Sequence, residues 1–143
     1  MQLAFEMDEI DPVDKDEVWE EITLMRPSGT KVHFDGRLLA DGQSQTNRLP
    51  FWHRIEVYQK AGPTYVVSIS KHPKGTEEMV SRHIFNAHTI WDAMEVIENF
   101  GDTLGDGLND EARSTEATSV ALGVKRHYNA LVGDLLFHLR TAA

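Results

Sequence analysis

The feature that most constrains this chain is a series of short segments, between about residues 30 and 87, in which apolar and polar side chains alternate. Successive side chains of a strand point to opposite faces of a sheet, so a period of two predicts strands with one apolar face. Turn residues separate the segments, with Pro27-Ser28-Gly29-Thr30 and Ala61-Gly62-Pro63 as the clearest examples and a polar loop at 41–48. Connections this short favour hairpins, because a parallel pair of strands needs a crossover of about a dozen residues.

Alternation also predicts which side chains share a face. If Ile55 and Val57 point to the core with Phe51 and His53, then Trp52, Arg54, Glu56 and Tyr58 point to the outer face. In the preceding strand one parity holds Val32, Phe34, Leu38 and Ala40, and Gly36 interrupts it, which suggests a bulge or a close backbone approach. The same parity places Lys31, His33 and Arg37 on the outer face. Further strands are predicted at 18–26, at 65–69 and at 80–87, with a polar loop over 71–78.

Two helices follow the strands. Thr89 is the predicted N-cap of the first, its apolar stripe is Ile90, Ala93, Met94, Ile97 and Phe100, and Gly101 is the predicted stop. In the second, the apolar residues between Val120 and Leu139 fall in one arc about 160° wide at 100° per residue. The chain is therefore predicted to be a single α+β domain, in which an antiparallel meander of four to five strands is packed on one face by two C-terminal helices.

The predicted order is an acidic segment at 1–17, the sheet at 18–87, a helix at 89–100, a loop at 101–117 and a helix at 118–140. At 143 residues and 41% hydrophobic, the chain is long enough for one core. The absence of cysteine excludes disulfides and a thiol nucleophile. No apolar run approaches the roughly 18 residues of a membrane span, and no basic and apolar leader opens the chain, so a soluble, cytoplasmic protein is expected.

Charge is unevenly distributed within a net charge of −9. Residues 1–21 hold nine acids against one lysine, whereas residues 22–88 hold nine Lys and Arg against five acids, with five of the seven histidines. Two interpretations stay open, namely internal charge pairing with added solubility, and an acidic arm that screens a basic surface until a partner displaces it.

Three groups of residues are candidates for a site. On the outer sheet face, aromatic and basic side chains resemble the platforms on which single-stranded nucleic acids stack, or a protein interface; they are Lys31, His33, Arg37, Trp52, Arg54 and Tyr58. A possible phosphate loop combines basic groups with Gly75 and Thr76, without a Walker pattern; its basic groups are Lys71, His72, Lys74 and Arg82. A possible acid/base or pH-sensitive edge lies on the last helix, where Asp134 and His138 are spaced i,i+4 and His127 borders the same arc.

The sequence contains no motif that is typical of a metal or cofactor site. The seven histidines show no HExxH or paired spacing, and the oxygen-rich segment 101–111 lacks the alternation of an EF-hand. No metal and no cofactor is predicted.

These patterns favour a small non-enzymatic binding or assembly module, acting through protein contacts as a homodimer, because the last apolar arc is wide for a helix covering one sheet face. The alternative is a nucleic acid or phosphate-bearing ligand bound on the outer face. Catalysis is disfavoured because no nucleophile motif, carboxylate pair or nucleotide fingerprint occurs.

Overall fold

The computed structural model describes residues 19–104 and 115–142. They form five strands, β1 (Glu20–Met25), β2 (Lys31–Gln43), β3 (Phe51–Lys60), β4 (Tyr65–Pro73) and β5 (Ser81–Ala87), followed by helices α1 (Ile90–Thr103) and α2 (Thr115–Ala142). The acidic segment 1–17 and most of the predicted loop 101–117 lie outside the described residues.

The strands form one antiparallel sheet in the order β1-β2-β3-β4-β5, so the predicted meander and α+β class are confirmed. Both helices pack on one face of this sheet. The main core lies between the sheet and the two helices. There, Ile55, Val57, Val67 and Ile69 of the sheet are wholly buried beneath Ile97, Tyr128, Leu135 and Leu139 of the helices. Tyr128 ties α2 to α1, because its hydroxyl donates a hydrogen bond of 2.9 Å to the Ile97 carbonyl.

The opposite face of the sheet closes on itself, which the sequence did not predict. The sheet curls into a half-barrel, and Arg82 Nη1 on β5 donates to the Met25 carbonyl on β1, the strand at the other edge. Inside the curl Phe34 and Tyr58 pack edge to face with ring centroids 5.5 Å apart, and Leu24 and Val66 are buried with them. This second, smaller core makes β4 a strand covered on both faces, with an unbroken buried run from Val66 to Ser70.

A bulge at Leu39 corrects the predicted faces of β2. Leu38 pairs with Tyr58 while Ala40 pairs with Val57, so one extra residue reverses the alternation along the strand. Phe34 therefore faces the inside of the curl, and only the segment from Ala40 onward faces the helices. Gly36 is not the bulge but a close approach, since a Cβ there would lie 2.5 Å from the Gln59 carbonyl oxygen.

The helices begin and end differently from the prediction. Thr89 is the N-cap of α1 as predicted, and it accepts a 3.0 Å hydrogen bond from the Asp92 amide. Gly101 is not the stop, since α1 continues to Thr103. It is instead a packing position, because a Cβ there would lie 3.1 Å from the Tyr128 ring. In the described residues, neither helix has the length and apolar character of a membrane span.

Candidate functional site

A cleft of about 550 Å³ lies between the helix-facing side of the sheet and the two helices. It is located where α1 ends and α2 begins. Its walls are mainly apolar and come from every element except β1 and β2. The lining residues are Phe51, His53, Lys71, Ser81, His83, Phe100, Leu104, Ala117, Val120, Ala121 and Val124. Clefts of this volume with apolar walls and few polar groups are typical of small-molecule sites.

A row of polar side chains crosses the sheet beneath this cleft. Lys71 on β4 pairs directly with His53 on β3 and with Ser81 on β5, and His83 follows two residues later on the same face. These positions continue the alternation that places Ile55 and Ile69 in the main core. Apolar side chains would be expected there, so the polar row departs from the pattern that Ile55, Val57, Val67 and Ile69 set at the centre of this face.

His53 is the most constrained member of the row. Its side chain is buried, with 2% of its surface exposed, and its ring packs edge to face against Tyr128 at 5.5 Å and Phe100 at 6.1 Å. Three hydrogen bonds with Ser44 fix its backbone, but its ring Nδ1 is buried without a hydrogen-bond partner in the described structure. Burial, followed by the charges of Lys71, His72 and His83, lowers the pKa of His53 from 6.5 to about 4, so the imidazole is neutral at pH 7.

Among the described residues, the polar side chains that line the cleft are all nitrogen bases or hydroxyls. Lys71 holds its ammonium 4.1 Å from the centroid of the Phe51 ring, and His83 lies against Phe100 with ring centroids 5.3 Å apart. None of the eleven lining residues is an aspartate or glutamate, although the whole chain carries 23 acids and a net charge of −9. The described lining of the cleft is therefore basic and apolar, in a protein that is acidic as a whole.

The predicted outer surface is not assembled as one patch. Trp52 and Tyr58 are 1% and 7% exposed, which corrects the expectation of exposed rings. The Trp52 ring stacks on His72 at 4.2 Å, and Tyr58 donates to the Glu56 carboxylate within the curl. Burial, and then the neighbouring Glu56, raises the pKa of Tyr58 above its ordinary value, so this phenol stays protonated.

The basic members of that surface are divided between two faces. Because of the bulge, Lys31, His33 and Arg37 lie on the side of the sheet opposite Arg54, where His33 contacts Thr23 and Arg37 donates to Gln59. The described part of the chain therefore does not form the single aromatic and basic surface on which the prediction of nucleic-acid binding depended. Nucleic-acid binding itself stays a prediction.

The four basic residues of the predicted phosphate loop are also separated. The strand β4 runs to Pro73, so Lys71 and His72 are strand residues on opposite faces rather than parts of a loop. Lys74 is exposed at the turn, whereas Arg82 lies in the curl and pairs with Glu56 at 2.7 Å. Arg82 also donates to Ser68, which completes a partly buried network.

A serine and a histidine meet on the curled face. Ser70 Oγ lies 2.9 Å from His72 Nε2, and His72 Nδ1 lies 2.8 Å from the Glu78 carbonyl, an arrangement that requires Nδ1 to carry the proton. The geometry resembles a nucleophile with its base. However, Ser70 and His72 are only 1% and 3% exposed, so no substrate reaches the hydroxyl in this structure, and the pair satisfies buried polar atoms.

The predicted acid/base edge of α2 does not form a cluster. His127 Nδ1 contacts the Gly123 carbonyl at 2.9 Å, His138 packs against Phe137, and Asp134 and His138 are both exposed. Over residues 19–104 and 115–142, no three His, Asp or Glu side chains group as metal ligands. Most of the oxygen-rich segment 101–111 lies outside the described residues.

The cleft was missed by sequence reasoning although its signal was present. Alternation put His53 on the core face, and the parity of Val67 and Ile69 extends to Lys71. A polar side chain at a core position of two adjacent strands was the evidence for a site on the helix-facing side. Comparisons with protein-family models, with curated proteins and with solved structures find no match to this chain.

Proposed function

We propose that the protein is a binding module that holds a small, mainly apolar molecule in the cleft between the sheet and the two helices. The observation that carries this proposal is the buried His53 ring beside an open apolar cleft, with Nδ1 unpartnered. An unpaired buried polar atom destabilises a fold by about 1 to 3 kcal/mol, and a phenylalanine in its place would extend the core. Departures of this kind from the core pattern concentrate at functional sites.

The walls of the cleft support the same function. Ala117 and Ala121 on α2 face the polar row with short side chains, whereas the later turns of the same helix bring Leu135 and Leu139 into the core. The described residues thus leave an open cleft beside a dense core, and clefts of this volume with mainly apolar walls are typical of ligand sites.

The experiment uses N-phenyl-1-naphthylamine, a neutral fluorophore whose emission rises in apolar surroundings. We expect saturable binding with one site per chain. Ala121→Trp fills the cleft and should weaken binding at least tenfold, whereas Ala130→Trp, on the exposed face of the same helix, should leave it unchanged. Absence of saturable binding, or equal binding by the two variants, would refute the proposal.

Self-association is a second candidate, supported by a different observation. The apolar arc of α2 is used within the chain, so it no longer argues for a dimer. Trp91 of α1 and Phe137 of α2, however, are 61% and 67% exposed, and large exposed aromatic side chains are enriched at protein interfaces. We propose that these helix surfaces join two copies of the chain.

Light scattering coupled to size-exclusion chromatography tests the dimer. The expected mass is twice the 16.2 kDa of one chain. Phe137→Glu should restore the monomer, whereas Leu38→Glu, at an exposed leucine of the sheet, should not. A monomeric profile of the unsubstituted protein at 100 micromolar would reject this candidate.

A further inference from the structure

We infer that the molecule bound in the cleft is an apolar monoanion of the carboxylate class, with its anionic group held by Lys71 and His83. This inference rests on the proposed binding function and specifies its ligand. The first support is charge complementarity. The polar side chains of the described lining are one lysine, two histidines and one serine, without a carboxylate to neutralise them.

The ammonium of Lys71 is available for such a ligand. In the described structure the ammonium lies 4.1 Å from the centroid of the Phe51 ring, and a ring contact leaves the donors of an ammonium partly unused. Its neighbours across the strands are His53 and Ser81, so the charge lies in the polar row rather than at the exposed turn. Lys71 is half-buried, and a cation partly shielded from water attracts an anion more strongly than a fully solvated one does.

The small number of donors favours a singly charged group over a phosphate. Phosphate sites use several backbone amides of a glycine-rich loop, or the paired donors of arginine. The described lining contains neither glycine nor arginine, and both Arg54 and Arg82 lie on the other face of the sheet. One ammonium and one imidazole N–H match the two oxygens of a carboxylate.

The remaining volume requires an apolar body. Phe51, Phe100, Leu104 and the two valines of α2 form most of the walls, and a cleft of about 550 Å³ accommodates a chain of about ten carbons or a bicyclic ring system. Aliphatic and aromatic carboxylic acids satisfy both requirements, and a small hydrophilic anion satisfies only one.

The test compares three ligands that differ only in the head group. Decanoate, decanol and decylammonium are titrated against the complex of the protein with N-phenyl-1-naphthylamine at pH 7. We expect decanoate to displace the fluorophore at a concentration at least tenfold below that of decanol, and decylammonium to be the weakest. Equal displacement by decanoate and decanol would overturn the head-group inference while leaving the binding function intact. Failure of the fluorophore to bind would reject both.

Two lysine variants assign the charge. Lys71→Met keeps an unbranched apolar side chain and should reduce affinity for decanoate about tenfold more than affinity for decanol. Lys74→Met removes the same charge from the exposed turn three residues away and should keep the full preference for decanoate. His83→Gln tests the second residue assigned to the anionic group, and we expect it to reduce the preference for decanoate over decanol by less than Lys71→Met does. If Lys71→Met weakens the binding of decanoate and decanol equally, the lysine shapes the cleft but does not bind the charged head group, and the inference is wrong.

Discussion

The buried imidazole of His53 makes the stability of the fold depend on pH in a defined window. The native ring has a pKa of about 4, whereas the unfolded chain has the ordinary value of 6.5. As the pH falls below 6.5, His53 binds a proton in the unfolded chain but not in the native protein. The free energy of unfolding therefore decreases until the native ring is protonated near pH 4. Above pH 6.5 this term is absent and stability is at its maximum.

The two pKa values set the size of the effect. Integrating proton uptake between them gives a loss of about 2 kcal/mol at pH 5 and about 3 kcal/mol at pH 4, relative to pH 7. The charges near His53 strengthen rather than offset this loss, because Lys71 and His83 on its own face of the sheet and His72 on the other face are bases. The packed rings of Phe100 and Tyr128 carry no acid.

The measurement compares urea unfolding of the protein and of His53→Phe at pH 7, 6, 5 and 4.5. All other titrating groups are common to both chains, so the difference between the two free energies isolates His53. We expect the free energy of unfolding of His53→Phe, relative to that of the unsubstituted protein, to increase by about 2 kcal/mol between pH 7 and pH 5. Parallel curves, or a titration of the His53 ring by NMR with a midpoint near 6.5, would show that the ring is not buried as described.

Five further substitutions test the packing by urea unfolding at pH 7. Gly133→Ala, at a helical position with open space around it, should stabilise the protein by about 0.5 to 1 kcal/mol, whereas Gly101→Ala should destabilise it by about 1 kcal/mol because its Cβ would press on the Tyr128 ring. Arg82→Met should remove about 2 to 3 kcal/mol because the largely buried Glu56 carboxylate loses its cation and keeps only the hydrogen bond from Tyr58, whereas Arg54→Met should remove less than about 1 kcal/mol; equal losses would contradict the assigned network. Tyr128→Phe should lose about 1 kcal/mol with the hydrogen bond to α1, and an unchanged midpoint would show that this bond contributes nothing.

The architecture was predictable because it depends on local patterns. Alternation identified the strands, short turns such as Ala61-Gly62-Pro63 ordered them into a meander, and the cap at Thr89 located the first helix. Each of these signals lies within a few residues of the structure that it determines.

The predictions of which side chains share a face were wrong in two situations. In one, a single extra residue reverses the alternation along a strand, and in the other, strands distant in sequence come into contact. The extra residue at Leu39 reversed the faces of half of β2, and sequence alternation does not reveal which residue is left unpaired. The curl of the sheet brought Leu24 of β1 and Val66 of β4 into one cluster, and this closure buried Tyr58 on a face predicted to be open. Curvature is a property of the whole sheet, so alternation within single strands could not predict it.

The two faces of the sheet now distinguish polar groups that serve the fold from those assigned to a site. On the curled face His72 is buried and Arg82 and Glu56 are partly buried, and each has a hydrogen-bond partner, which is the condition under which buried polar groups are tolerated. Arg54 has an unpartnered Nε, but more than a third of its side chain is exposed, so the rest of the guanidinium reaches solvent. His53 has neither compensation, because it is buried and its Nδ1 is unpartnered. A polar side chain that weakens the fold and lines a basic, apolar cleft is better explained by what the cleft binds than by the packing of the core.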